Sequence, residues 1–203
     1  MKQIWIVFAV LFMVACKSSD KKKTGTETTG TSLEQRLSYF MKANDNMDIE
    51  KVLDYTYPKL FEIVPRAQLL QFMKDGFNNK EVKVEMDSLT VDKVYPVFEE
   101  GKGNYAKVIY SMVMIMTFTK DSAQGNSDET NEMIRATMAE KYGENNVNLD
   151  KATGVLRIRQ TSPMIAAKDE HSKEWTFVNL KEGDATINKM FSKEVLDKLA
   201  TYN

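Results

Sequence analysis

The stretch Tyr105-Ala106-Lys107-Val108-Ile109-Tyr110-Ser111-Met112-Val113-Met114-Ile115-Met116-Thr117-Phe118-Thr119 decides the fold class. Gly101-Lys102-Gly103-Asn104 turns the chain into this stretch, which reads as one long strand. Period-two alternation puts Val108, Tyr110, Met112, Met114, Met116 and Phe118 on one face. Lys107 and Ser111 fall among the apolar residues of the other face, so both faces are expected to be covered over much of the length. A strand of this kind belongs to a sheet with helices packed on it.

Upstream, the pattern is helical. Ser32 followed three residues later by Gln35 reads as a capping box, and Leu33, Leu37, Phe40 and Met41 then share one helix face, which predicts a helix from Leu33 to about Ala43. Asp48 is placed to cap a short second helix through Ile49, Val52 and Leu53. Tyr55-Thr56-Tyr57-Pro58 turns the chain into a further turn of helix, and Pro65 opens a helix carrying Leu69, Leu70, Phe72 and Met73, ended by Gly76 and Asn78-Asn79. Val82, Val84 and Met86 alternate with Lys83, Glu85 and Asp87 as a half-buried strand with its carboxylates in water. Leu89 to Phe98 reads as a second strand, with Pro96 at an edge or bulge.

Downstream of the long strand, a polar break at 122–126 precedes a helix from Ser127 to Tyr142 stopped by Gly143. Strands follow at Val147 to Leu149, Val155 to Ala167 and Trp175 to Leu180, and Ser192 caps a last helix holding Val195, Leu196 and Leu199. Helices first and then a run of mostly antiparallel strands is an α+β order: N-terminal helices on a curved, mostly antiparallel sheet, with an extra helix before the last strands and a C-terminal helix. Residues 32–203 are expected to form this single domain.

The extreme N-terminus carries a different signal. Met1 and Lys2 are followed by an apolar run from Ile4 to Met13 and then by Val14-Ala15-Cys16, the basic, apolar, small-residue order of a secretory signal. The run is shorter than the roughly 20 residues a membrane-spanning helix needs. Residues 17–31 hold no large apolar side chain and read as a flexible tether, its lysines a solvated run. Met13-Val14-Ala15-Cys16 resembles the lipobox of bacterial lipoproteins, although Met13 departs from the usual first residue. The resemblance implies cleavage after residue 15 and a diacylglyceryl thioether on Cys16, hence an anchor in the cell envelope. Lys17 directly after the cysteine implies the outer membrane, with its periplasmic and outer faces both open to the domain.

Composition removes several function classes. Lys+Arg 28 against Asp+Glu 29 offers no basic surface for nucleic acid. Cys16 is the single cysteine and His171 the single histidine. The folded part therefore has neither disulfide nor thiolate ligand, and multi-histidine metal sites are excluded. A chain starting at Ser32 should fold without metal or oxidant, and no cofactor is expected. His171 lies in the polar run Lys168 to Lys173 and reads as a turn residue. Met112, Met114 and Met116, with Met133, Met138 and Met164, invite a Cu(I) thioether site, but methionines spaced by two on a strand face are better read as core.

The short helix from Asp48, the Tyr55-Thr56-Tyr57-Pro58 corner, the Pro65 helix and the long strands from Tyr105 and Val155 resemble the cystatin-like cone of the nuclear-transport-factor-like and SnoaL-like families. The resemblance implies a bent sheet wrapped over the N-terminal helices and a site inside the cone. Leu37, Phe40 and Met41 are expected to meet a strand face made of Tyr110, Met112 and Met114 with Ile158, Gln160 and Ser162. Tyr110, Gln160 and Ser162 are then the polar groups placed to orient a ligand. Two functions follow: a non-catalytic, lipid-anchored module binding an envelope protein or a small apolar ligand, or, by analogy with cone-fold enzymes, a small lyase, isomerase or hydrolase.

Overall fold

The computed structural model describes residues 31–77, 81–118, 127–181 and 183–202. The expected signal peptide, Cys16, all of the expected tether except Thr31, and the polar break at 122–126 lie outside the described residues. Thr31 N already reaches the fold, donating to Glu174 Oε2 at 3.3 Å.

The chain is α+β. Helix α1 spans Leu33–Asp45, its first turn capped by Ser32 Oγ, which accepts from Gln35 N at 3.2 Å. Asp48 caps α2 (Ile49–Asp54) in the same way through Lys51 N. The Tyr55-to-Pro58 corner leads into the single turn α3 (Leu60–Ile63), and α4 covers Arg66–Phe77. The sheet is formed by β1 (Val82–Val94), β2 (Phe98–Glu100), β3 (Gly103–Phe118), β4 (Val147–Asp150), β5 (Val155–Lys168) and β6 (Thr176–Asn179). Helix α5 (Asp128–Tyr142) precedes β4, and α6 (Ala185–Met190) and α7 (Lys193–Ala200) close the chain.

All strand pairs are antiparallel, in the order β1-β3-β5-β4, with β2 added to β3 and β6 to β5. The expected break between two strands near Ser88 is instead a bulge within β1. Ser88 takes a φ of 54°, and the register to β3 slips between Asp87 and Thr90 and again between Val91 and Lys93. Each slip bends the strand, so one long curved strand replaces the two that alternation suggested. Helix α6 was not expected from the sequence; Asp184 caps it by accepting from Thr186 N at 2.8 Å.

Even-numbered residues of β3 and β5 make one continuous inner face. At one end it packs Val108 and Met164 against Leu33, Leu37 and Met41 of α1, with Phe40 stacked on Phe177 at 4.9 Å. At the other end Met114, Met116, Leu156 and Ile158 meet Ala139 and Met138 of α5. Both faces of β3 are at least partly covered along its whole length, as expected, with none of its residues exposed. The helices are not confined to one face: α6 and α7 pack on the outer face near Tyr105, Ile165 and Ala167, and Ile109 to Thr117 on that face are partly buried.

Candidate functional site

Between α1, α2, α4 and the inner face lies a cavity of about 320 Å³. Its walls are Phe40 and Met41 from α1, Val52 and Leu53 from α2, Leu69 and Met73 from α4, and Met86, Met112, Met164 and Phe177 from the sheet. Helix α4 forms the outer wall of this space through Leu69 and Met73. Every residue of that helix is at least partly exposed, and Phe72 points to solvent, 74% exposed.

Polar groups enter the cavity at few points. The Tyr110 hydroxyl donates to Asn179 Oδ1 at 3.0 Å, so the tyrosine and the last residue of β6 form one polar corner. Burial pushes the Tyr110 phenol up from its ordinary pKa, which keeps it a neutral donor. Asn44 Nδ2 is engaged by Phe40 O at 2.8 Å, and Thr56 Oγ1 by Val52 O at 3.0 Å. Every side chain lining this cavity is neutral at pH 7.

The register delivers the expected face: Tyr110, Met112 and Met114 stand opposite Ser162, Gln160 and Ile158. The three residues expected to orient a ligand form one connected group at the edge of the cavity. Tyr110 lines the cavity and its phenol is hydrogen-bonded to Ser162, directly opposite on β5. Gln160 Nε2 donates to Ser162 Oγ at 2.6 Å, and Gln160 and Ser162 also line a second depression beyond Asn179. Asn179 lines both hollows and was not singled out in the sequence, where it reads as the end of a strand.

The methionines do not converge on one point. Met112 lines the cavity, Met114 and Met116 pack under α5, Met164 is buried against α1, and Met133 is exposed. Among the described residues no three His, Cys, Asp or Glu side chains cluster in a way that could hold a metal. Nor is any described helix long and apolar enough to cross a membrane. Glu85 and Asp87 are exposed on β1, in ion pairs with Lys83 at 2.8 Å and Arg157 at 3.9 Å.

A second polar cluster escaped the sequence. Asp169, 9% exposed, accepts from the Tyr57 hydroxyl at 2.6 Å and the Tyr105 hydroxyl at 3.3 Å on Oδ2. Its Oδ1 accepts from the backbone N–H groups of His171 and Ser172 at 2.8 and 3.3 Å. Desolvation comes first in raising both phenols, Tyr105 to about 12 and Tyr57 further, with the Asp169 carboxylate adding to it. Both tyrosines thus stay protonated donors, and the cluster fastens the β5–β6 turn instead of exchanging protons. His171 sits in that turn, its ring edge-on to Tyr57 with 6.3 Å between centroids.

Comparison with protein-family models, with curated proteins and with solved structures gives no match to this chain.

Proposed function

We propose that this chain is a lipid-anchored protein of the cell envelope that holds a small, neutral, mainly apolar molecule between its N-terminal helices and its sheet without transforming it. The cavity of about 320 Å³ carries the reading. It lies at the small end of the range for ligand sites, with apolar walls and a single polar corner at Tyr110 and Asn179. An ionised ligand group would be desolvated there against no opposite charge, which costs several kcal/mol or more. Chemistry at neutral pH asks for a proton donor and acceptor with matched pKa values. The raised Tyr110 phenol beside a carboxamide supplies no such pair, which favours holding over turnover.

The address rests on the lipobox resemblance at Cys16, which places the domain on a short tether at a membrane, the outer membrane by the lysine that follows. Two or more acyl chains make such an anchor stable where one is marginal. Cys16→Ala is expected to block both lipid attachment and cleavage. Equal incorporation of labelled fatty acid into the variant would refute the anchor.

Native mass spectrometry of the chain purified from its own envelope tests the cavity. A bound neutral molecule is expected, lost when Met112→Trp fills the space and weakened by Tyr110→Phe. Turnover of that molecule, abolished by Tyr110→Phe, would instead establish the enzyme reading.

A further inference from the structure

The sheet is interrupted along one edge of β5. β4 pairs with Val155 to Ile158 and β6 with Met164 to Ala167, so residues 159–163 between them carry no strand on that side. Leu180 N donates to Pro163 O at 2.9 Å, which shows that the backbone groups of odd-numbered residues here point out to this edge. Thr161 therefore turns its N–H and C=O into the break, while Pro163 brings no N–H that would need a partner. The break opens into a depression of about 780 Å³, walled by the end of α5 and by Leu180 and Lys181 beyond β6.

Its charge is one-sided among the described residues. Lys141, Arg159 and Lys181 stand around it, Lys141 over the Tyr142 ring at 4.9 Å, no described carboxylate lines it, and none of the three cations is within ion-pair distance of a described acid. Asp184 accepts from the Thr186 backbone N–H at 2.8 Å within its own helix, and Lys181 attracts it only from beyond ion-pair distance. Asn179 Oδ1 accepts from Tyr110 and its amide N–H groups are left as donors, whereas the Thr161 hydroxyl is used on Ser111 Oγ, 2.8 Å away, which itself donates to Asp92 Oδ2. Three cations of one sign around neutral donors and an unpaired strand edge fit a multiply charged oxyanion.

We propose that this break in the sheet binds a phosphate monoester. A phosphate monoester carries about −1.5 to −2 charge near pH 7 and three acceptor oxygens, which matches this set better than a carboxylate does. The site meets the neutral cavity at Asn179, which lines both, and draws its charge from residues that the cavity does not contain. The same chemistry comes from two sources, a free phosphate ester or the headgroup of a phosphatidate-type lipid in the membrane beside which the chain is expected to sit.

The test follows the backbone amides of Thr161 and Asn179 by NMR in the full chain held in zwitterionic micelles. One arm adds glycerol 3-phosphate with glycerol as control; the other adds phosphatidate with phosphatidylcholine as control. Saturable shifts with glycerol 3-phosphate support the proposal with a free ester as ligand. Shifts with phosphatidate alone support it with a headgroup as ligand. Arg159→Gln should weaken the binding about tenfold, the scale of a charge-assisted hydrogen bond. Combining Lys141→Gln, Arg159→Gln and Lys181→Gln should abolish it, while Lys102→Gln elsewhere on the surface leaves it unchanged. These side chains are exposed, so an unaltered melting curve checks that the variants fold. Absence of shifts in both arms, or shifts that persist in the triple variant, would overturn the proposal.

Discussion

The Tyr57 hydroxyl donates to Asp169 Oδ2 at 2.6 Å, joining the corner after α2 to the β5–β6 turn across 112 residues of sequence. The ring of Tyr57, only 1% exposed, is stacked on Phe191 at 4.8 Å, which ties the last helices to the same point. A buried hydrogen bond to a charged group contributes more than a neutral one, so Tyr57→Phe should lower unfolding stability by about 2 kcal/mol. Asp169→Ala should cost more, because two buried phenols and two backbone N–H groups lose their acceptor together. Denaturant melts of both variants measure this, and equal stability of all three proteins would deny the cluster its structural role.

The same cluster sets a pH limit. The folded-state pKa values of Tyr57 and Tyr105 are raised above the unfolded value of 10.0, Tyr105 to about 12. A raised pKa means that the stabilisation is complete below about pH 10 and is lost as pH rises through the folded values. The melting temperature should therefore fall steeply between pH 10 and pH 12. Tyr57→Phe and Tyr105→Phe, less stable at neutral pH, should each show a shallower fall. Parallel curves for the variants and the parent protein would argue against it.

Gly103 and Tyr105 are coupled through space. A Cβ added at Gly103 would collide with the Tyr105 hydroxyl and stand 2.5 Å from the ring at Cζ, so the phenol reaches Asp169 only across a bare backbone. Gly103→Ala should therefore push the ring away and cost roughly 1–3 kcal/mol, the scale of overpacking a core. In a Tyr105→Leu background the same change should cost far less. A double-mutant cycle with no coupling would show that the ring moves aside freely.

These relationships show which parts of the fold could be read from the sequence. Alternation alone put Tyr110, Met112 and Met114 on one face with Ser162, Gln160 and Ile158, because a half-buried strand must segregate its side chains by period two. Caps at Ser32, Asp48 and Ser192 were equally legible, since the side chain that starts a helix is its near neighbour. Asp169 was not legible. It lies in a run of charged residues that reads as a solvated turn, and its phenol partners are 64 and 112 residues away. The part of Asn179 in the polar corner was hidden for a related reason, as it meets the Tyr110 hydroxyl from a strand 69 residues away that period two does not pair with β3.

Helix α4 should be the least protected of the longer helices. Leu69 and Met73 are only half-buried over the cavity, whereas α1 fully buries Leu33, Leu37 and Met41. What holds α4 at its start and end are exposed ion pairs, Arg66 with Asp54 at 2.7 Å and Lys74 with Glu50 at 3.1 Å, and such pairs contribute at most about 1 kcal/mol each. Few buried contacts and exposed backbone hydrogen bonds allow local opening well below the global unfolding energy. Hydrogen exchange across residues 66–77 should accordingly run ahead of that across 33–45. Filling the cavity with a neutral apolar probe such as 1-aminoanthracene should slow the first and leave the second unchanged, since a ligand that bridges Leu69 and Met73 to Met112 supplies the contacts α4 lacks. Phe72→Ser, on the solvent side of the same helix, should shift stability by no more than about 0.5 kcal/mol. Exchange in α4 as slow as in α1, and indifferent to the probe, would mean that the helix is a fixed wall and that the cavity beneath it does not admit ligands by this route.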